Sequence, residues 1–369
     1  SPRVRETPVV RDAAGLRRRL VAWFERHQRA MPWRATRDPY RVWVSEIMLQ
    51  QTQVATATPY YERFVARFPD VRALAAAAPD QVLAAWSGLG YYRRARFLHE
   101  AAGLVVREHA GSIPSDPRAF GELPGVGRYT LGAVLSISFG ASLPVLDGNV
   151  ARVFSRLSGQ SLAIKRPVDA KALWAMAEAL LPETVASAGT GIDPGQWNQA
   201  LMELGALVCT PAAPRCPDCP VKRHCVAFET GQQDELPPVV GRRATVKLRR
   251  AVVRILHRGR LLVVQRHGAL LNGLWEPPGV DLERGDDAAA RLRARLAEYG
   301  VRARLTDRGE RVRHTITHRD IEVQVFEGTL AGVAPRATTR LRWIKPGSHE
   351  MALSALARRV ITGVARAGD

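Results

Sequence analysis

Leu123-Pro124-Gly125-Val126-Gly127-Arg128-Tyr129-Thr130, followed about twenty residues on by Leu146-Asp147-Gly148-Asn149-Val150-Ala151-Arg152-Val153, decides how this chain reads. Pro124 and the two glycines mark a tight turn, and the apolar spacing over Thr130–Phe139 predicts a helix after it. Glycines one residue apart let backbone N–H groups point outward at a helix N-terminus, a geometry that grips a phosphate without any side chain. The same pattern also fits an ordinary turn before a helix. Asp147 stands before a second predicted helix, Val150–Leu157, and reads as an N-cap, as a functional carboxylate, or as both.

A second carboxylate stands out in Trp43-Val44-Ser45-Glu46-Ile47-Met48-Leu49-Gln50-Gln51-Thr52, where Glu46 is the only acid between Val42 and Val54. Partial burial among Val42, Trp43, Ile47 and Leu49 would raise its pKa and keep it protonated near neutrality. A solvated helix-face glutamate is the ordinary alternative. The flanking sequence reads as helices throughout: Leu16–His27, Tyr40–Ala55, Tyr60–Phe68, Gln81–Trp86, Arg93–Glu108, Ala170–Leu181 and Gln196–Leu207 carry apolar residues at helical spacing. Asp38-Pro39, Asp80 and Asp169 are helix-start signals.

All four cysteines of the chain fall in Cys209–Cys225, spaced C-x6-C-x2-C-x5-C. A disulfide framework would staple one short loop and leave the rest unbraced. A structural zinc more often shows two close pairs, and here there is one. Four thiolates on one compact loop can ligate a [4Fe–4S] cube; zinc and unmetallated thiols remain the alternatives at this point. Pro211, Pro214, Pro217 and Pro220 stiffen the loop, and Lys222, Arg223 and His224 give it positive charge.

After a polar, then Pro-rich connector (Glu229 to Gly241) the pattern changes. Thr245–Leu256, Arg260–Gln265, Arg311–Thr317 and Asp320–Gly328 read as strands, and Asp286–Tyr299 and Met351–Ala365 as helices. The chain of 369 residues is thus expected to be multidomain: an all-α region over 1–230, a connector over 231–244 and an α+β region over 245–369. Its net charge is 54 − 35 = +19, of which residues 241–369 contribute 26 − 13 = +13. That excess favours a polyanionic partner, although an Arg-rich, Lys-poor composition also arises from codon bias. At 46% hydrophobic and 24% charged the chain is neither disordered nor collagen-like. No apolar run is long enough to cross a bilayer and no signal core precedes Arg19, so no membrane role and a cytoplasmic, nucleoid-associated location are expected.

The cysteine spacing resembles the cluster loop of the endonuclease III and MutY superfamily of DNA glycosylases. The LPGVG-x-YT and LDGNV-x-RV elements resemble its helix-hairpin-helix and catalytic-aspartate segments, and SE-x-MLQQT-x-V is similar to the MutY catalytic-acid helix. The resemblance covers nearly the whole chain and is most specific in 38–230. It implies a helix-hairpin-helix glycosylase domain with a structural [4Fe–4S] cluster held by Cys209, Cys216, Cys219 and Cys225. It further implies base excision repair of adenine mispaired with 8-oxoguanine or guanine in duplex DNA, by a monomer. Glu46 would protonate the adenine at N7 with Tyr129 nearby, Asp147 would face the sugar cation, and Asn149 would position sugar or water. Gly125, Val126 and Gly127 would bind the DNA backbone, Leu49 and Gln51 would lie near the pocket mouth, and Tyr91, in Gly88-Leu89-Gly90-Tyr91-Tyr92-Arg93, would be the wedge. Endonuclease III-like enzymes carry Lys where this chain has Tyr129. A phenol cannot form an imine, so the expected chemistry stops at base removal.

Leu274-Trp275-Glu276-Pro277-Pro278-Gly279 resembles the start of a Nudix box, G-x5-E-x7-R-E-U-x-E-E-x-G-U. Arg293 and the closing Gly300-Val301 fall in register. Of the acids only Glu298 survives; Gly285, Ala294 and Ala297 replace the others, and Arg295 occupies an aliphatic position. Magnesium on a diphosphate needs several carboxylates, so hydrolysis is not expected and the resemblance implies a Nudix-like binding module. In the MutY family such a domain recognises 8-oxoguanine, and a Phe-Ser-His turn contacts the lesion. Ile316-Thr317-His318 takes that place here, with Ile316 in the aromatic position. The rivals are a glycosylase/lyase, a nucleotide-pool hydrolase and a non-enzymatic lesion sensor.

Overall fold

The computed structural model describes residue 10 and residues 12–182, 191–239, 241, 244–267, 272–316, 318–347 and 351–362. Thr317 and the last residues of the helix expected over Met351–Ala365 lie outside them. Among the described residues the α-helices come first: α1 (Ala13–His27), α2 (Pro39–Leu49), α3 (Val54–Arg67), α4 (Val71–Ala76), α5 (Pro79–Ala85), α6 (Arg93–Glu108), α7 (Pro117–Gly121), α8 (Arg128–Phe139), α9 (Gly148–Ser158), α10 (Pro167–Leu180), α11 (Pro194–Leu207) and α12 (Val226–Glu229). Then follow β1 (Val246–His257), β2 (Arg260–Gln265), β3 (Trp275–Glu276), β4 (Gly279–Leu282), α13 (Ala288–Ala297), β5 (Ala303–Ile316), β6 (Arg319–Leu330), β7 (Leu341–Ile344) and α14 (Ala355–Thr362). The chain forms two compact units, and they are not cut at one point of the sequence. Ser1–Ala76 and Phe97–Gly241 make the first; Ala77–Arg96 and Arg242–Asp369 make the second.

In the first unit Pro39 opens α2 and the Asp38 carboxylate accepts the Arg41 backbone N–H at 2.8 Å, an N-cap that fixes where Glu46 falls. The helix expected over Tyr40–Ala55 is two helices: α2 stops at Leu49, Gln51 takes a left-handed φ of 58°, and α3 starts at Val54. Apolar spacing runs through the break, so periodicity alone could not show it. Helix α11 lies against α1, α8 and α9. Gly205 makes the last contact possible, because a Cβ there would stand 2.7 Å from the Asn149 Cβ. Leu16, Leu20, Val150, Phe154, Trp197, Leu201 and Leu204 fill the core between these helices.

In the second unit β1 is central. It pairs in parallel with β6 from Val246↔Arg319 to Ile255↔Gly328 and antiparallel with β2 and β4. The sheet runs β3-β2-β1-β6-β5, with β4 against β1 and β7 against β2. Strand alternation sends Ala251, Val253 and Ile255 to one core with Leu292 and Leu296 of α13, and Val252 to another with Leu356 and Val360 of α14. Strand β5 begins eight residues before the expected Arg311, because a bulge between Asp307 and Arg311 hides its alternation. Strands β3, β4 and β7, four residues or fewer, are too short to carry a period.

Candidate active site

Glu46, Tyr129 and Asp147 line one cavity of about 1140 Å³ in the helical unit. Asn149, Leu49, Gln51, Gly125 and Gly127 line it as well, while Val126 does not. Gly125 turns the chain with φ 80°, and a Cβ there would meet the Phe97 side chain at 2.7 Å. Gly127 then caps α8, which brings Tyr129 in from one side as α2 brings Glu46 in from another.

Glu46 is buried, 5% exposed. Burial pushes its pKa up to about 7, against a hydrogen bond from Tyr129 and the attraction of Arg34; the Asp147 charge adds to the rise. The Tyr129 hydroxyl lies 2.8 Å from Glu46 Oε2 and 3.2 Å from the Met202 sulfur. Burial and the two nearby carboxylates hold that phenol well above its ordinary range. Asp147 caps α9: its carboxylate accepts the Val150 backbone N–H at 2.7 Å and the Asn149 side-chain amide at 3.2 Å. Burial raises its pKa, opposed by those donors and by Arg152. The cap and the cavity wall are therefore the same side chain.

Three further wall residues went unread in the sequence. Glu203 on α11, 1% exposed, accepts from Arg29 (backbone N–H and guanidinium) and from both Arg34 terminal nitrogens at 2.7–3.0 Å. Burial works to raise its pKa, but these donors hold the carboxylate down at about 2. Glu203 is the only acid in Gln196–Leu207, the same signal that marked Glu46. Arg29 and Arg34 carry no local signal.

The four cysteines border one small cavity together with Arg156, Lys222 and Gln233. Arg156 donates to the Cys209 sulfur at 3.3 Å and to the Thr210 carbonyl at 2.7 Å. Its neighbour one turn back, Arg152, donates to the carbonyls of Cys209 and Gly205 and to Asn149 Oδ1 at 2.7–2.9 Å. The cysteine loop is thereby bonded to the helix that carries Asp147. Burial pushes the Cys219 thiol up to about 12 and raises Cys216 and Cys225. Among the described residues no group of three or more His, Cys, Asp or Glu side chains is set to hold a single metal ion.

Tyr91 lies on the turn between α5 and α6, in the second unit, 42% exposed and with φ 48°. Ile316 ends β5, partly buried against the core under α14, and His318 is half-buried with its carbonyl accepting from the Val246 N–H at 2.8 Å. At the Nudix-like positions Gly279 opens β4, and Glu298, the one surviving acid, is bonded to Arg295 beside it. Arg250 and Arg266 instead pair with Glu276 and Asp281, so this part of the unit is crossed by ion pairs. Among the described residues no helix is long and apolar enough to cross a membrane.

Comparison with known proteins bears on both units. Residues 44–178 match the HhH-GPD superfamily of base excision DNA repair proteins, and residues 251–363 match the NUDIX domain. The chain is 34% identical to the human adenine DNA glycosylase over 95% of its own length and 74% of the relative's. It is 34% identical to that of Rattus norvegicus, covering 91% and 75% of the two chains, and 40% identical to that of Mycolicibacterium smegmatis, covering 56% and 67%. Among solved structures a thermostable thymine-DNA glycosylase is similar, with TM-score 0.52 and 29% identity over 59% of this chain and 97% of the other. The match of the human relative along nearly the whole chain, through both units, carries the conclusion: the chain belongs to the adenine DNA glycosylases.

Proposed function

We propose that the enzyme removes adenine mispaired with 8-oxoguanine or guanine in duplex DNA, and that it stops at base removal. The observation that carries this reading is a single cavity holding a carboxyl poised near pH 7, a phenol bonded to it and a second carboxylate. Adenine is a poor leaving group until a ring nitrogen gains a proton. With the target nucleotide swung out of the stack, protonated Glu46 donates to N7. The C–N bond breaks with its electron pair leaving on the base, and positive charge develops on the deoxyribose. Asp147 as carboxylate faces that charge, Asn149 orients sugar or water, and water completes hydrolysis. The two carboxyls divide the work as in retaining glycosidases. Tyr129 holds Glu46 and offers no amine for a Schiff base.

Cys209, Cys216, Cys219 and Cys225 fit a [4Fe–4S] cluster. Four thiols share one cavity, and Arg156 stands ready to offset thiolate charge. When bound, the cluster would neutralise and cross-link the thiolates. Its part is structural, and loss of the Cys209 sulfur would unfold the loop and release iron. DNA contacts would come from the backbone of Gly125–Gly127, from Leu49 and Gln51 beside the pocket, and from Tyr91 inserted into the duplex. The second unit, without the acids for magnesium, would read 8-oxoguanine through Ile316, Thr317 and His318.

Strand cleavage after alkali tests the reading. Duplexes with A:8-oxoguanine should react fastest, A:G next, A:C slowly and thymine glycol not at all. Borohydride should trap no covalent adduct. Preferred release of thymine glycol, or an adduct, would contradict it.

A further inference from the structure

The turn that carries Tyr91 is strained. Tyr91 is a non-glycine residue with φ 48°, between Gly88 at 105° and Gly90 at 78° on one side and α6 on the other. Such backbone persists only where its surroundings over-determine it. Part of the support is local. Trp86 Nε1 donates to the Gly90 carbonyl at 3.0 Å, and the Arg94 guanidinium lies 5.4 Å from the Trp86 ring and 5.3 Å from the Tyr91 ring. The rest comes from more than 250 residues away in sequence and within the same compact unit. The Leu353 carbonyl, just ahead of α14, accepts from Ser87 Oγ at 2.6 Å and from the Tyr92 hydroxyl at 3.2 Å. Tyr92 in turn accepts the Gly88 N–H at 3.0 Å, and Arg358 on α14 donates to Ser87 Oγ at 2.9 Å. Ser87 and Tyr92 are buried, 8% and 6% exposed, whereas Tyr91 between them is 42% exposed. One carbonyl thus ties together the two residues that bracket the turn and leaves the ring between them outside.

We propose that the segment Leu353–Arg358 is a latch that holds the Ser87–Tyr92 turn in the conformation presenting Tyr91. Ser87, Tyr92 and Arg358 are then positioning residues for insertion into the duplex. This rests on the reading of Tyr91 as the inserted group. Leu353 belongs to the unit whose sequence match is the NUDIX domain, so that unit sets the shape of the wedge turn as well as any lesion contact.

Two measurements on the full chain test it. The first is hydrogen exchange of the free protein at residues 88–92 in Ser87→Ala/Tyr92→Phe, with the milder Arg358→Gln as a second variant. Loss of the latch bonds should speed exchange there by roughly tenfold while α8 and β1 keep their protection. Unchanged exchange at 88–92 would overturn the latch. The second is 2-aminopurine fluorescence beside an A:8-oxoguanine pair on binding. The latch variants should lose most of the unstacking signal, as Tyr91→Ala does, and should lose nothing more when combined with Tyr91→Ala. Additive losses would overturn positioning in favour of general stability. A Tyr91→Ala protein that unstacks the duplex normally would overturn the wedge reading and the insertion role, while the exchange result still judges the latch itself.

Discussion

The two walls of the cavity bury a glutamate each and neutralise it in opposite ways. On α2, Glu46 meets a phenol and apolar side chains, and a proton satisfies it up to about pH 7. On α11, Glu203 meets two guanidinium groups, and they hold it ionised down to about pH 2. Arg34 connects the walls. Its attraction lowers the Glu46 pKa, yet the carboxylate it bonds is Glu203, so its charge is partly matched before it reaches α2. The lesson is that burial alone does not make an acid catalyst; burial away from a matched cation does.

The largest expected effect breaks the α2 side. Glu46→Gln keeps an acceptor for Tyr129 but has no proton to give, and single-turnover adenine release should fall by about a thousandfold or more, with duplex binding retained. The same variant has a stability signature. A carboxyl raised from 4.5 to about 7 stabilises the fold fully below 4.5, and that contribution is lost as pH rises to about 7. Glu46→Gln should therefore remove this decline, and urea midpoints at pH 5 and pH 8 would show it.

Breaking the α11 side comes next. Glu203→Gln leaves two arginines without their carboxylate and should cost roughly 3 kcal/mol in urea unfolding. Its pH signature is the mirror image: a carboxylate held at about 2 stabilises above 4.5 and loses that contribution as pH falls through 2. The unmatched Arg34 should also pull the Glu46 pKa down, moving the alkaline limb of the pH–rate profile to lower pH. A limb that stays in place would show that the walls are not coupled through Arg34.

Tyr129→Phe sharpens the comparison at smaller cost. It removes the hydrogen bond that favours ionised Glu46, so the alkaline limb should move up by about one pH unit, with the rate changed by no more than about tenfold. Smallest of all, Glu298→Gln in the second unit removes an exposed pair with Arg295 and should change stability by less than about 0.5 kcal/mol. A large loss there would mean that the remaining Nudix-like acid still holds something.

The same contrast explains what could be read from the sequence. Glu46, Asp147 and the four cysteines sit in short local patterns that mark them in the sequence, although the Tyr129 partner of Glu46 lies 83 residues away. The Arg29–Glu203 and Arg34–Glu203 bonds span 174 and 169 residues, and no local pattern encodes them. Arg152 and Arg156 of α9 are buried and donate to the cysteine loop more than 50 residues on, which no local pattern encodes either. The linear division of the chain near Gly241 followed composition, yet residues 77–96 belong with the C-terminal unit because Ser87 and Tyr92 bond to Leu353. The break at Gln51 was hidden because Ile47 and Val54, seven residues apart, keep the helical spacing across it.

The protonation state of Glu46 is open to direct view by carboxyl infrared difference spectroscopy, wild type against Glu46→Gln, across pH 4 to 9. A protonated carboxyl band lost with a midpoint near pH 7 is the predicted result. A midpoint at or below 4.5, the ordinary value for a glutamate, would contradict it.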